Sequence, residues 1–384
     1  MTERRDGTRA VRAGLPPGAQ GEPIIPGPTF ATGYRLSGDD LDVTPYGYAR
    51  YANPTWTALE TALGELEGDG AEALTFASGS AAIAALLHAG LRHGDAVVVP
   101  ADGYPAARTI AQEDLAPRGV EIREAATDTQ AIVAAIGGGD AAGAAASPAA
   151  LALVETPSNP LLEVVDVRAI AAAAKERGTL LVVDNTLATP LGQRPLDLGA
   201  DATVMSGSKH LTGHSDVLLG VVTTRDAPLL ARVRAWRDRV GAILGPFEAW
   251  LAHRSLATLD VRLERQCANA QALAELLADA TGIEDVRYPG LPGDPSHSLA
   301  ARQMRRFGSV LSFDLGTAAK ANAFLQTAEL VTEATSFGGV HTTAERRARW
   351  GTDEISPGLV RLSAGIEDAA DLLADVERAL DAAA

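Results

Sequence analysis

The segment SGSKHLTGH, residues 206–214, sets one lysine, Lys209, among small hydroxyl residues, glycines and two histidines, directly after the apolar run ADATVM. An ammonium ion is costly at the end of a buried strand, so the amine either reaches solvent or has its charge altered by chemistry. Other short apolar runs end in polar residues in the same way. EALTF is followed by ASGSAA, a small-residue turn opening a helix, whose free amides and dipole suit a phosphate. VVVP is followed by ADGY with Tyr104, and LALVE by TPSNP with Asn159; LLVVD ends in Asp184, and ATVM leads to Ser206, Ser208 and Lys209. Each feature has an ordinary structural explanation by itself. Taken together, a phosphate-sized nest, an aromatic plate, an acid and an amine match the needs of pyridoxal 5′-phosphate. Its aldehyde takes an amine into a Schiff base, its ring nitrogen a carboxylate, its ring face a stacking partner and its phosphate several donors. Such a link removes the lysine's charge until a substrate amine displaces it.

These side chains converge only if the apolar runs are neighbouring strands of one sheet, because ligands of open parallel sheets bind beyond the carboxyl ends of the strands. The pattern supports this. From about residue 56 to 245, short apolar runs alternate with amphipathic segments such as SAAIAALLHAGLR and VRAIAAAAKERG. That alternation predicts an α/β fold, a mainly parallel sheet with helices on both faces. Residues 1–55 are rich in Gly, Pro and turn formers and read as an extended arm that packs on something else, a second subunit being the candidate. Residues 246–384 read as a smaller α+β domain. It opens with one long helix over EAWLAHRSLATLDVRLERQCANAQALAELLAD, continues with strands in SVLSFDLG and LVRLSAG, and ends in the helix DAADLLADVERALDA. The Gly- and Ala-rich run IGGGDAAGAAASPAA lies between strand signals and reads as a surface loop or weak helix.

With 384 residues, 46% hydrophobic and 21% charged, the chain has the balance of a globular protein long enough for two cores. No apolar run approaches the roughly 20 residues of a membrane span, and the basic N-terminal stretch has no apolar segment behind it, so a cytoplasmic protein is expected. The net charge of −16 argues against a nucleic-acid groove, and basic clusters such as RVRAWRDRV read as solvated helix faces. The single cysteine, Cys267, excludes internal disulfides and Cys-rich metal sites, and no metal is expected.

At this point the sequence resembles the cystathionine γ-synthase/γ-lyase family, pyridoxal-phosphate enzymes of cysteine and methionine metabolism with the aspartate aminotransferase fold (fold type I). The resemblance runs over nearly the whole chain: TRAVRAG, YGYARYANPTW, FASGSAAIAALL, VETPSNPLLEVVD, VVDNTLATPLGQRPLDLGAD, SGSKHLTGHSDVLLG, RYPGLPGDPSH and VRLSAGIED. It implies that Lys209 carries the cofactor and moves protons, Asp184 pairs with the pyridine nitrogen, and Tyr104 stacks on the ring and assists proton exchange. It further implies that Gly79 and Ser80, with Ser206 and Ser208, hold the phosphate. Tyr48 and Arg50 would reach the phosphate of a neighbouring subunit, making the protein an obligate dimer and usually a tetramer. Arg361 would clamp the substrate carboxylate with help from Asn159 and the backbone near Ser336.

Departures from the family pattern bear on substrate choice. Pro105-Ala106 stands where Gly-Gly is common, and Ala106 stands where methionine γ-lyases carry a cysteine. His341 replaces an acid after the paired glycines, and Thr335 occupies a position facing the distal part of the substrate. The resemblance implies γ-elimination on a sulfur amino acid, L-cystathionine giving L-cysteine, 2-oxobutanoate and ammonia. Alternatives are γ-replacement on an O-acylhomoserine, then methionine γ-lyase or β-lyase chemistry, and, more remotely, a noncatalytic binding protein of the same fold.

Overall fold

A computed structural model describes residues 4–36, 46–138, 147–351 and 354–383. Seven strands form the larger sheet: β1 (Glu72–Phe76), β2 (Ala96–Pro100), β3 (Glu121–Ala125), β4 (Leu151–Glu155), β5 (Leu180–Asp184), β6 (Ala202–Ser206) and β7 (Gly220–Thr224). They lie in the order β1-β7-β6-β5-β4-β2-β3. All neighbours are parallel except β7, which runs against both β1 and β6. Because β7 is reversed relative to both, β1 points the same way as β6, and six carboxyl ends share one edge.

The alternation of side chains along these strands explains the layers. Val97, Val99, Leu153, Val182 and Val204 face one side, where they pack with Ile83, Leu86, Leu229 and Val233 of helices Gly79–Gly90 and Ala227–Val240. Val98, Ala152, Val154, Leu181 and Val183 face the other, against Ile132, Ile136, Ile170 and Ala174 of helices Thr129–Ile136 and Val167–Arg177. Each Leu or Val fully buried this way contributes about 1.5–3 kcal/mol. Such double-sided burial is why these strands read as continuous apolar runs.

The second sheet is β10-β11-β12-β9-β8, built from β8 (Asp285–Arg287), β9 (Val310–Asp314), β10 (Thr332–Glu333), β11 (Thr343–Arg346) and β12 (Leu359–Ser363). Its core includes Phe313, Phe324, Val360 and Leu362, closed by the helix Ala369–Ala383. The expected fold, a mainly parallel sheet with helices and a second, smaller sheet, is the one found.

Three local expectations are corrected. The long helix after residue 246 is two, Pro246–Leu256 and Leu259–Asp279, interrupted at Ala257–Thr258. Strands β3 and β7 were not anticipated: β3 carries Glu121, Arg123 and Glu124 and lies at an edge, where an unbroken apolar run is not required. In RVRAWRDRV the face is not wholly solvated, since Arg237 is buried, donating to Glu60 Oε1 at 2.6 Å and to the Thr75 carbonyl at 3.0 Å. Ahead of the helix Pro54–Glu67, the described residues include the short helix Asp6–Arg12 and an isolated bridge between Gly33 and Tyr48. Most of the Gly- and Ala-rich run lies outside the described residues. Among the described residues, no helix is long and apolar enough to cross a membrane.

Candidate active site

One pocket collects residues from the carboxyl edge of the large sheet: Ser78, Gly79 and Ser80 after β1, Tyr104 after β2, Glu155 ending β4 with Asn159 beyond it, Asp184 ending β5 with Thr186 beyond it, and Ser206 ending β6 with Ser208 and Lys209 beyond it. Phe337, from the loop before β11, also lines it.

The anion cradle follows from helix chemistry. Ser78 caps the helix Gly79–Gly90, its hydroxyl accepting from the Ala81 N–H at 3.2 Å. The N–H groups of Gly79 and Ser80 find no acceptor among the described residues, leaving them for a ligand. Gly79 is obligatory for packing: a Cβ there would lie 2.9 Å from the Ser206 Cβ. Ser206 therefore stands against the helix end, whereas the Ser208 hydroxyl is turned to Leu219, accepting its N–H at 2.8 Å. Tyr104 bridges to this corner, its hydroxyl 3.1 Å from Ser80 Oγ.

Asp184 is the buried last residue of β5. Thr186 donates to its Oδ1 twice, from the N–H at 2.9 Å and the hydroxyl at 2.5 Å, and no hydrogen bond from the described residues reaches Oδ2. Burial raises its pKa, while Thr186 and Lys209 favour its ionised form. A buried carboxylate with one oxygen free toward a pocket is suited to a cationic N–H donor.

Lys209 sits across from it. Its pKa is lowered by burial first and by the Arg361 charge second, against the pull of Asp184. Its Nζ lies 5.4 Å from the centroid of the Phe337 ring, and the Arg361 guanidinium carbon lies 5.1 Å from the same centroid. The aromatic ring thus adjoins both the amine and the guanidinium. The next residue, His210, is buried and bonded to Ser309 Oγ at 2.7 Å; burial and then the Arg262 charge lower its pKa to about 4, so it stays neutral beside the lysine.

Arg361 lies on β12 and is nearly buried. Its Nη1 donates to Asn159 Oδ1 at 2.8 Å, and its Nη2 to the Ser336 carbonyl at 2.8 Å and to Glu345 Oε1 at 2.6 Å. Ser336 adopts φ +80°, a left-handed conformation uncommon for a residue with a side chain, and one that accompanies the turn of its carbonyl toward the guanidinium.

Of the residues singled out from the sequence, Lys209, Asp184, Tyr104, Gly79, Ser80, Ser206, Ser208 and Asn159 line one pocket, and Arg361 with Ser336 adjoins it through Asn159. Thr335 and His341 are exposed and outside its lining. Tyr48 and Arg50 lie elsewhere, Arg50 donating to the Asp238 carbonyl at 2.5 Å. Sequence reasoning missed Glu155, Thr186, Phe337 and Glu345. Glu155 ends an apolar run, so its type and place were a usable signal; Glu345 lies in a charged stretch where nothing distinguished it.

The donor set fits pyridoxal 5′-phosphate: free amides at a helix start, a carboxylate with a spare oxygen, an aromatic side chain and a depressed amine share one pocket. The fold and site are those of a pyridoxal-phosphate enzyme of fold type I, in which the cofactor is held at the carboxyl edge of the sheet. More narrowly, the chain belongs to the family of Cys/Met metabolism PLP-dependent enzymes, whose sequence profile matches residues 7–381. Its cofactor is pyridoxal 5′-phosphate, and it is an enzyme of the carbon–sulfur lyase and synthase kind.

A Streptomyces coelicolor protein with the provisional name cystathionine gamma-lyase is 54% identical over 98% of this chain and 93% of its own length. The solved structure of an apo methionine gamma lyase from Micromonospora echinospora is 40% identical and superposes with TM-score 0.90, covering 99% of this chain and 100% of that one. A cystathionine gamma synthase from Xanthomonas oryzae pv. oryzae, solved with cystathionine, is 38% identical with TM-score 0.92 over 100% and 99% of the two chains.

Proposed function

We propose that the protein catalyses γ-elimination of L-cystathionine, converting it with one water into L-cysteine, 2-oxobutanoate and ammonia. The observation that carries the reading is the placement of the Lys209 amine, whose Nζ has no hydrogen-bond partner among the described residues, in one pocket with Asp184 and on the same aromatic ring as the Arg361 clamp. The choice of cystathionine is supported by the 54% identical relative and by the cystathionine held in the related synthase structure.

In this reading Arg361 and Asn159 receive the substrate's α-carboxylate, for which a planar guanidinium is better shaped than an ammonium. Pyridoxal 5′-phosphate, when bound, supplies a sink for the electrons left at the substrate's α-carbon. Asp184 would stabilise positive charge on the cofactor's ring nitrogen, and Gly79, Ser80 and Ser206 would hold its phosphate. Lys209 Nζ would take the proton from the substrate's Cα and serve Cβ in turn, a role that the lowering of its pKa by burial favours. The Tyr104 hydroxyl, at the mouth of the pocket, donates to the departing γ-thiolate. The arm, residues 1–55, carries Tyr48 and Arg50 to the phosphate of a second copy, so the active unit is at least a dimer.

The test is product identification by mass after incubating holoenzyme with L-cystathionine. Cysteine with 2-oxobutanoate is the expected outcome. Homocysteine with pyruvate would assign β-elimination instead. No turnover of cystathionine, together with its synthesis from an O-acylhomoserine and cysteine, would assign γ-replacement.

A further inference from the structure

Glu155 lines the same pocket and has no part in the reaction just described. It is the last residue of β4 and the register partner of Asp184 on β5, so the two side chains leave adjacent parallel strands toward the same side. Its Oε2 accepts the Tyr104 N–H at 2.8 Å. The turn that brings Tyr104 there folds closely over the carboxyl: Gly103 has φ +86°, and a Cβ on it would lie 2.5 Å from Glu155 Oε2. Glu155 is thereby joined to the turn that carries Tyr104 and to the strand that carries Asp184.

The charges facing it come from four elements. They are Asp184 on β5, Asp102 in the turn after β2, Arg361 on β12, and Lys209 after β6 across the pocket. Burial first, and the Asp184 charge second, push the Glu155 carboxyl upward; the N–H groups of Tyr104 and Asn159 act the other way. Asp184 is also raised by burial, but the Thr186 hydroxyl, the Thr186 N–H and Lys209 all favour its anion. Two adjacent buried carboxyls do not both ionise cheaply, since each anion raises the cost of forming the other. Each carboxyl accepts two donors, so the neighbouring charges decide: Lys209 favours the Asp184 anion, and the charge of Asp184 in turn opposes ionisation of Glu155.

We propose that Glu155 is a positioning residue of this active site, a neutral carboxylic acid that seats the Tyr104 turn through its backbone N–H and leaves Asp184 as the single anion facing the cofactor ring. The assignment does not depend on which sulfur amino acid is the substrate.

Three forms of the holoenzyme test it. Glu155→Gln keeps the shape of the acid and the acceptor for Tyr104 but cannot ionise, and Glu155→Ala removes the acceptor. With cofactor loading and thermal melting checked by the visible absorption band, Glu155→Ala is expected to lower kcat by about 10- to 100-fold through displacement of Tyr104, with little change in KM. Glu155→Gln is expected to return kcat close to the wild-type value. The infrared difference spectrum of wild type minus Glu155→Gln at neutral pH is expected to contain the carbonyl stretch of a protonated carboxylic acid, a readout that also holds if the alanine variant fails to fold. Equal impairment of the two variants, an alanine variant as active as wild type, or a difference spectrum with a carboxylate band in place of the acid band would each overturn the proposal.

Discussion

Glu345 and Arg361 stand opposite one another on β11 and β12, Oε1 to Nη2 at 2.6 Å, with only 1% and 4% of their side chains exposed. The same oxygen accepts from Arg347 at 3.1 Å, and Oε2 accepts from the Trp350 indole at 2.9 Å. One carboxylate therefore compensates two buried guanidiniums. Glu345→Ala leaves both cations without it and should destabilise the protein by about 3–5 kcal/mol. A urea midpoint unchanged from wild type would contradict this; Glu345→Gln, which keeps an acceptor, should fall between.

In the proposed reaction Lys209→Ala removes both the anchoring amine and the proton carrier. Turnover should fall by roughly 1,000-fold or more, and the absorption band of lysine-linked cofactor should vanish while the phosphate cradle still binds cofactor weakly. Turnover and band are measured on the same sample, and activity surviving in the variant would remove Lys209 from its role.

Arg50 and Tyr48 lie away from the pocket of their own chain. Arg50→Ala and Lys209→Ala should each inactivate the enzyme, yet a one-to-one mixture unfolded and refolded together should regain activity at about a quarter of the sites, those of mixed dimers with one intact centre. Complete inactivity of the refolded mixture, with mixed dimers verified by mass, would refute the shared site.

Glu67 ends the helix Pro54–Glu67 with no solvent exposure. Its Oε1 accepts from the Thr203 hydroxyl at 3.1 Å, and Oε2 has no partner among the described residues. Burial raises its pKa from 4.5 to about 7. The folded chain thus holds a proton that the unfolded chain has already released. Its contribution is fully present below pH 4.5 and is lost as the pH rises through about 7, a change of up to about 3 kcal/mol. Glu67→Gln does not titrate, so it should be more stable than wild type at pH 8 and gain nothing near pH 4; parallel urea midpoints for the two proteins at both pH values would refute this.

Most of what positions the site was legible because it depends on local rules. The strands ending at Phe76, Pro100, Glu155, Asp184 and Ser206 are short apolar runs, and polar residues that follow such runs must lie at one edge if the strands are parallel. Strand β3 was not legible, because an edge strand with Glu121 and Arg123 has no apolar run to display. The break at Ala257–Thr258 has no Gly or Pro to announce it. Phe337 and Glu345 escaped notice for another reason: their importance comes from neighbours far away in the chain. Glu345 matters through Arg361 and Arg347, and Phe337 through Lys209 and Arg361.

The guanidinium of Arg361 reaches from the small sheet to Asn159 after β4, and Ser312, beside it on β9, donates to the Pro160 carbonyl at 2.7 Å. The group that the proposed function offers to an incoming carboxylate is also a fastener between the two sheets' halves of the molecule. Under that reading occupancy and mechanical coherence are linked quantities: an amino acid seated there would be a further rivet across the seam, and whatever loosens the seam would weaken the grip on the amino acid by the same free energy.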